Sequence, residues 1–522
     1  MGVPEDVRRV PRPTGTVVMD SKSGVYSVRE KLYMDPYQDE SGKWHRPSRN
    51  GRVVGHIIDG RYVPKEEDGG VSVGRVDIKS WGEYELCDRL NRDILTDLLA
   101  HYNEEDATRL YVMAVLRAMN RNLSDRLMQR AYEESFLTEM YPGVNLRRTS
   151  VSTFLRNVGR TASRMTAFMR GRVRCVIDKE HLIIDGTLKQ DHSRVNSMSA
   201  VSRKTRFLRY KQVMIMYAYN LESREPVCMK TYPGNVVDAR AVDDFLEVFQ
   251  ITKGIIVADK GFSPEAVSSV TSRHEDLHYI LPLKRNDSAI GKLSLDVADR
   301  VLKDVRGVAY TKVESSRDGV PVWYYAFRDP MIAAEEEVLY LTNGLDCADF
   351  DPEELETKRF GMIFFESDCD LDPGTVYFTY EDRWTIELMF RFEKDILEMD
   401  DTREHSEYTL MASNFVDYLA ALMSSRILAF FVRNGLLERA TYGDVLARIG
   451  RFMMTDIDGN CEWRVSRAAL TDAEFMERIG LLRRPMVPEF PKKRGRPKGS
   501  KDKKPRKKAS KKTATAGESP QS

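Results

Sequence analysis

The segment YEDRWTIELMFRFEK, residues 380–394, places four polar side chains at helical spacing. At about 100° per residue, positions 380, 383, 387 and 394 fall at about 0°, 300°, 340° and 320° around a helix axis. These positions hold Tyr380, Arg383, Glu387 and Lys394. The pattern predicts an α-helix that presents one polar stripe, about 60° wide.

The other sides of this predicted helix are apolar, with Ile386, Leu388, Met389 and Phe392. A helix that is apolar on most sides is usually buried, and a buried glutamate beside basic side chains needs a chemical reason. A solvated polar stripe is the alternative. We expect Glu387 to be functional.

Two aspartates follow short apolar runs that predict strands. Asp185 closes the run Leu-Ile-Ile at 182–184, and Asp259 closes Ile-Ile-Val-Ala at 255–258. Ligand groups collect at the strand ends of α/β sheets, so both carboxylates are candidate site residues. Taken singly, each aspartate has a commoner interpretation as the start of a turn.

The pattern around these aspartates predicts strands and a helix in the order β-β-β-α-β, which indicates an α/β fold. The predicted strands are 182–184, 213–219, 227–231 and 254–258, and the predicted helix is 239–249. Residues 276–379 follow with more strand-like runs and little amphipathic helix, which predicts a β-rich insertion. Its predicted strands are 279–281, 308–313, 320–327, 338–341 and 362–365. Beyond residue 380 the pattern is helical again, to about residue 437.

The spacing Tyr, two residues, Arg, three residues, Glu, six residues, Lys resembles the signature of bacterial insertion-sequence transposases of the DDE type. Tyr380, Arg383, Glu387 and Lys394 match it without a gap. The same family has an Asp followed two residues later by Thr, and an Asp-Arg/Lys-Gly-aromatic element. Those two elements are matched by Asp185 with Thr187, and by Asp259, Lys260, Gly261 and Phe262.

The resemblance covers about residues 173–437 and implies an RNase H-like catalytic core, in parts 173–275 and 380–440, interrupted by the β-rich insertion 276–379. It implies that Asp185, Asp259 and Glu387 are the catalytic, metal-holding carboxylates. Phosphodiester chemistry is commonly served by two divalent ions roughly 4 Å apart. Hard oxygen ligands favour Mg²⁺, with Mn²⁺ as a substitute. Arg383, Lys394 and the Tyr380 hydroxyl are then expected to contact phosphates.

The remaining regions are predicted from composition and pattern. Residues 1–85 are predicted to be β-rich, with strand signals at 24–28 and 53–58, and residues 441–488 form a small C-terminal region. Residues 86–172 are predicted to be helical and, being rich in Arg, to bind DNA. Within them, 145–158 resembles a recognition helix with a Ser or Thr cap, although a purely structural helix is equally open.

The tail, residues 489–522, is strongly basic. From Pro491 onward it holds thirteen Lys or Arg and two acidic residues, a charge of +11, so the rest of the chain carries about −10. Arg494 and Arg496, with Gly495 and Pro497, resemble an AT-hook that would enter the minor groove. The simpler prediction is a disordered, salt-sensitive arm that holds DNA nonspecifically.

The composition, 42% apolar and 31% charged, is ordinary for a folded globular protein. The start has no secretory signal, and the apolar run 418–432 is interrupted by polar residues, so it is predicted to be a buried helix. The six scattered cysteines are expected to be reduced. We expect a cytoplasmic, nucleoid-associated protein without a membrane span.

The expected partner is double-stranded DNA, as transposon ends and as target. The family also implies a homodimer that pairs two DNA ends. Trp384 and the cluster 323–325 are candidates for stacking on a flipped base, with core packing as the favoured role. Two alternatives remain open: another RNase H-like nuclease, and a DNA-binding protein that descends from a transposase without its reaction.

Overall fold

The computed structural model describes most of the chain up to residue 482. The described residues are 3–20, 25–34, 36–38, 41, 43–64, 76–121, 123–193, 195–202, 210–236, 238–258, 264–295, 300–303, 305, 307–317, 319–344, 359–382, 386, 389–390, 394, 401–457, 461–466 and 470–482.

Strands predominate up to Ser80, helices follow from Gly82 to Arg174, and strands and helices are mixed from His181 onward. The helices are α1 (Glu5–Arg8), α2 (Gly82–Leu99), α3 (Glu104–Met119), α4 (Met128–Glu134), α5 (Leu137–Met140), α6 (Arg148–Arg160), α7 (Ala162–Arg174), α8 (Asp238–Phe249), α9 (Pro264–Thr271), α10 (Ser288–Lys292), α11 (Pro330–Gly344), α12 (Pro373–Asp382), α13 (Glu407–Arg433), α14 (Tyr442–Ile449) and α15 (Leu470–Arg478). The strands are β1 (Thr16–Met19), β2 (Tyr26–Tyr33), β3 (Tyr37–Gln38), β4 (Trp44–His45), β5 (Ser48–Ile58), β6 (Arg61–Pro64), β7 (Asp77–Ser80), β8 (His181–Asp191), β9 (Ala200–Val201), β10 (Lys211–Asn220), β11 (Glu225–Pro233), β12 (Lys253–Val257), β13 (Asp276–Leu283), β14 (Arg300–Val301), β15 (Ala309–Arg317), β16 (Val320–Arg328), β17 (Met362–Ser367), β18 (Asp401–Thr402), β19 (Met453–Asp456) and β20 (Arg464–Val465).

The chain divides into two compact units. The first consists of Met1–Lys79 together with Met453–Ser466. It contains the four-stranded sheet β1-β2-β5-β6, whose core is formed by Val10, Val18, Val28 and Ile57. The β-rich pattern predicted for the N-terminal residues is therefore found as strands. The predicted C-terminal region 441–488 is split, because only its middle segment belongs to this unit.

The second unit, Ser80–Phe452 with Arg467–Ser522, is built on an eleven-stranded mixed sheet. Its strand order is β11-β10-β8-β12-β13-β17-β16-β15-β14, and β18 and β9 pair with β8 and β10. The strands β8, β12 and β13 are parallel to one another, whereas β10 and β17 run antiparallel to their neighbours. The α/β fold class is thus confirmed, and the predicted β-β-β-α-β order corresponds to β8, β10, β11, α8 and β12.

Strand β8 is longer than the sequence predicted, and this corrects one interpretation. Asp185 was expected to close the strand, but it is the fifth of eleven residues. The strand continues because β10 pairs with it along the whole stretch from Leu182 to Gln190. On the other edge, the described pairing with β12 stops at Ile183, so the strand loses its parallel neighbour there and keeps its antiparallel one.

The strands predicted as an insertion belong to the same sheet as the core. β13 pairs in parallel with β12, and β17 pairs with β13, so hydrogen bonding is continuous between the two predicted regions. Residues 338–341 were predicted to be a strand, which is wrong, because they lie in α11. That helix begins after Asp329, whose carboxylate caps the Met331 amide at 2.8 Å, and continues through an Ala-Glu-rich stretch that favours helix.

Helix α6 covers most of the segment that was predicted to be a recognition helix. The predicted Ser or Thr cap is wrong, because the N-cap is Arg147 and makes no side-chain hydrogen bond. Ser150 lies inside the first turn, where its hydroxyl instead accepts a hydrogen bond from Arg109 at 2.8 Å. The buried side of α6, which includes Phe154 and Leu155, packs against α13.

Helix α13 is the central helix of the second unit. It is long and apolar enough to pass a length-and-composition test for a membrane span, but 72% of the tested window is buried inside the protein. This confirms the predicted buried helix. Five cysteines lie in the described residues and all are free, as predicted: Cys87, Cys175, Cys228, Cys369 and Cys461.

The close approach of α6 to α13 depends on Gly159. A Cβ added there would lie 1.9 Å from the Tyr408 carbonyl oxygen, whereas one added at Gly171 in α7 would meet nothing within 4 Å. We therefore expect Gly159→Ala to lower the free energy of unfolding by about 2 kcal/mol or more. Gly171→Ala, the control, should raise it by up to about 1 kcal/mol. Thermal unfolding followed by circular dichroism measures both, and equal midpoints for the two variants would contradict the packing.

Candidate active site

Asp185 lies half-buried in the middle of β8, which is flanked by the antiparallel β10 and the parallel β12. Its Oδ1 accepts a hydrogen bond from the Gly186 amide at 2.7 Å. Directly opposite on β10 is Tyr217, so the two side chains share one face of the sheet. Because side chains alternate along a strand, Thr187 and Lys189 also lie on that face.

The second predicted carboxylate follows the neighbouring strand. β12 ends at Val257, which is paired with Ile183, and Asp185 lies two residues beyond Ile183. Asp259 lies two residues beyond Val257 in the sequence. Asp259 itself is outside the described residues, as are Lys260, Gly261 and Phe262.

The third predicted element is only partly described. Tyr380 lies near the end of α12, half-buried, with its ring 4.7 Å from that of Phe365 in an edge-to-face contact. Lys394 is half-buried. Arg383 and Glu387 lie outside the described residues, so their predicted place on a common helical stripe stays a prediction.

A contact next to Glu387 locates this segment over the sheet. The ring of Phe390, three residues after Glu387, lies 5.7 Å from the ring of Tyr217. Tyr217 is the partner of Asp185 across the strands, so Phe390 packs on the face that carries Asp185. Ile386, one residue before Glu387, is fully buried, as the apolar pattern predicted. Phe390 is therefore held against β10, on the face of the sheet that carries Asp185.

A buried ion cluster lies further along the same face of β8. The Lys189 ammonium donates to Asp417 Oδ2 at 2.6 Å, and Arg117 donates to Asp417 Oδ1 at 2.7 Å. Burial alone would raise the pKa of Asp417, but the two cations outweigh it and hold the pKa below its usual value. Arg117 also donates to Asp125 at 3.2 Å. The cluster joins α3, β8 and α13.

Sequence reasoning missed this cluster, although two features point to it. Asp417 is one of the few charged positions inside the apolar helix α13, and Lys189 lies on the candidate strand four residues after Asp185. A charged residue within a buried helix needs a partner. The partner of Asp417 could not be chosen from the sequence, because several Arg and Lys residues were available.

Glu404 lies near the same cluster, in the segment between β18 and α13. Burial, reinforced by the negative charges of Asp125, Asp417 and Asp191, raises the pKa of Glu404 to about 7. Arg117 acts in the opposite direction but does not cancel the effect. The carboxyl is therefore partly protonated near neutral pH.

Asp185 is the one predicted metal-holding carboxylate among the described residues. Asp185 offers carboxylate oxygen, the donor that Mg²⁺ prefers, from a strand fixed within the sheet. Among the described residues no group of three His, Cys, Asp or Glu side chains is arranged to hold a metal ion. Asp259 and Glu387 lie outside the described residues.

The other residues that were predicted to contact DNA fall into two groups. Some pack in the protein core, and the rest lie outside the described residues. Tyr324 and Tyr325 are buried, and Trp323 packs against the same core cluster as Tyr325, so the favoured role in core packing is confirmed for all three. Trp384 is outside the described residues. So are the basic tail and its Arg494 and Arg496.

Residues 177–409 match the family model described as a transposase DDE domain. The matched segment begins four residues before β8 and ends within the first turn of α13. Asp185, Asp259 and Glu387 all lie within this range of the sequence. A comparison with curated proteins gave no match. The match shows that this part of the chain is similar to a transposase DDE domain.

The shifted pKa of Glu404 gives a pH-dependent stability. The folded-state pKa of about 7 lies above the ordinary 4.5, so this contribution is fully present below about pH 4.5 and is lost as pH rises through about 7. We expect Glu404→Gln to be more stable than the wild type at pH 8, by at most about 3 kcal/mol. The gain should shrink towards zero near pH 5. Thermal midpoints across this range measure it, with the exposed Glu438→Gln as the control; a gain that does not vary with pH would contradict the buried carboxyl.

Proposed function

We propose that this chain, whose residues 177–409 match the transposase DDE domain, is a DNA transposase that cleaves the ends of its insertion sequence and joins them to target DNA. Asp185, Asp259 and Glu387 are its catalytic residues. The observation that carries this proposal is the contact between Phe390 and Tyr217. It holds the neighbours of Glu387 over the strand face of Asp185, although 202 positions separate the two carboxylates in the sequence.

The register between β8 and β12 supports the role of Asp259. Val257 and Ile183 are paired, and each is followed two residues later by one of the predicted aspartates. In parallel strands, residues at equal distances beyond a paired position come to the same level along the strand direction. The register therefore supports a site at the level of Asp185, just beyond the described end of β12, where ligands commonly bind.

The three carboxylates would hold divalent cations, Mg²⁺ with Mn²⁺ as a substitute, which supply activation of the attacking oxygen and stabilisation of the leaving oxygen. Asp185 contributes a carboxylate whose position is fixed by strand pairing on β10. We propose both that two ions bind and that these three carboxylates are their protein ligands.

The basic and phenolic residues of the signature position the DNA. Arg383 and Lys394 would contact phosphates, and so would the Tyr380 hydroxyl, whose ring is held against Phe365. Such contacts fix the register of the DNA end without reading its sequence. The tail, with Arg494 and Arg496, would add nonspecific attraction to duplex DNA.

The partner of the enzyme is double-stranded DNA, as transposon ends and as target. We further propose that a homodimer pairs two ends and that the protein acts at the nucleoid. Both statements rest on the likeness to the family and on the chemistry of the substrate.

The first test is Mn²⁺-dependent cleavage of a plasmid that carries this gene with its native flanking DNA. We expect cuts at the element's ends with the wild type, and a loss of at least a hundredfold with Asp185→Asn or Asp259→Asn, because a carboxylate ligand is removed. Asp178→Asn, an exposed aspartate just before β8, is the matched control and should cut normally. Cuts that survive in both site variants would reject the site, and folded wild-type protein that binds but never cuts would favour a binding-only protein.

A second test concerns the placement of Glu387. Phe390→Leu keeps an apolar side chain but removes the ring contact with Tyr217. We expect cleavage to fall several-fold, because the neighbouring glutamate loses its support, while DNA affinity stays unchanged. Phe378→Leu, an exposed phenylalanine in α12, serves as the control. Equal cleavage rates for the two variants would mean that the ring contact does not position the site.

A further inference from the structure

A cleft of about 910 Å³ lies in the second unit, between α3, α6 and the segment that leads from β18 into α13. Its floor includes Arg117 and Asp417 of the buried ion cluster, and its rim includes Arg126, Arg148 and Arg156. We call it the arginine cleft. None of its residues belongs to the predicted DDE triad or its signature.

Two of the rim arginines project from one side of α6. Arg148 and Arg156 are exposed and eight residues apart, so they lie within an arc of about 80° and are separated by about 12 Å along the helix. Ser152, half-way between them, also lines the cleft. The buried side of the helix, with Phe154 and Val158, packs inward. Neither arginine makes a hydrogen bond or ion pair with a residue that the structure describes.

The acidic residues of the cleft do not cancel this charge. Asp417 and Asp125 are already paired with Arg117, and Asp401 lies 3.6 Å from Arg403. Glu404 is partly protonated near neutral pH because burial raises its pKa. The charge left over on the rim is therefore positive, and it is carried by Arg126, Arg148 and Arg156.

The spacing of the rim arginines indicates an extended anion. Two guanidinium groups whose helical positions are about 12 Å apart can each take a separate phosphate of one extended anion. Along duplex DNA, 12 Å corresponds to roughly three to four base pairs, at 3.4 Å each. Arginine is well suited to such contacts, because its planar fork pairs with phosphate oxygens.

We infer that the arginine cleft binds the phosphate backbone of duplex DNA, with Arg126, Arg148 and Arg156 as the contact residues. The inference rests on the proposed function and assigns α6 to backbone contact. A recognition helix in the major groove would instead read base edges.

The cleft is connected to the candidate active site through β8. One of its walls begins at β18, which pairs with Gln190 and Asp191 of β8. Asp185 is five residues before Gln190 on the same strand, a distance of about 17 Å at roughly 3.3 Å per residue. One strand therefore carries both the candidate carboxylate and the residues paired with the cleft wall.

The test is binding of a fluorescent 40-base-pair duplex, measured by anisotropy in EDTA over a series of salt concentrations. The full chain is compared with the double variant Arg148→Gln/Arg156→Gln. We expect the variant to bind at least tenfold more weakly near 0.1 M salt, with a salt slope reduced by about 1.8, since each phosphate contact contributes about 0.9. The loss should be the same for a native transposon end and for a scrambled duplex.

The matched control is Arg147→Gln/Arg160→Gln, which removes two exposed arginines of the same helix region that do not line the cleft. It should retain most of the affinity and the slope. Equal slopes for the wild type and the cleft variant would overturn the inference, and so would a loss confined to the native end, which would indicate base recognition. If the wild type binds no duplex, both the inference and the proposed function fail. Cleavage that depends on Asp185, with binding unaffected by the cleft variant, would reject the inference alone.

Discussion

The second unit depends on one buried ion cluster, in which Asp417 of α13 is bound by Lys189 of β8 and by Arg117 of α3. Each ion in such a cluster has lost its hydration, and the attraction between the partners offsets this free energy of desolvation only while they stay in contact. Removing one partner of a buried pair typically costs about 3–5 kcal/mol, because the remaining charge is left uncompensated. The cluster therefore fixes three elements relative to one another, and in doing so fixes both the strand that carries Asp185 and the floor of the arginine cleft.

The two halves of β8 have different structural roles. The first half of β8 carries Asp185 opposite Tyr217, on which Phe390 packs, whereas its second half anchors the ion cluster through Lys189 and the cleft wall through Asp191. A group that must stay within a fraction of an ångström of its reacting partner is best placed on a rigid element. Strand pairing with β10 along the whole of this stretch provides that rigidity.

Local patterns predicted what depends on local sequence. The apolar runs located β10, β12 and β16, and the apolar sides of the Glu387 segment correctly implied that Ile386 is buried. Features that depend on residues far apart in the sequence could not be predicted from local patterns. The extension of β8 past Asp185 depends on pairing with β10. Helix α11 forms where a strand was predicted, because its Ala-Glu stretch favours helix more strongly than its four apolar residues favour strand. Lys189 and Asp417 form an ion pair although 228 positions separate them in the sequence. The carboxylate signature was found early because its spacing is a property of one segment.

The two edges of β8 are unequal, and this has a further consequence. One edge is paired with β10 throughout, but on the other no strand that the structure describes is paired between Ile183 and Gln190. Backbone amides and carbonyls along that interval must still be satisfied, by loops, by water or by a ligand. Amide protons there should exchange with solvent faster than those facing β10, and their exchange should slow when a bound molecule covers the edge. Hydrogen exchange of the amides of β8 would therefore show whether a molecule is bound beside the strand that carries Asp185.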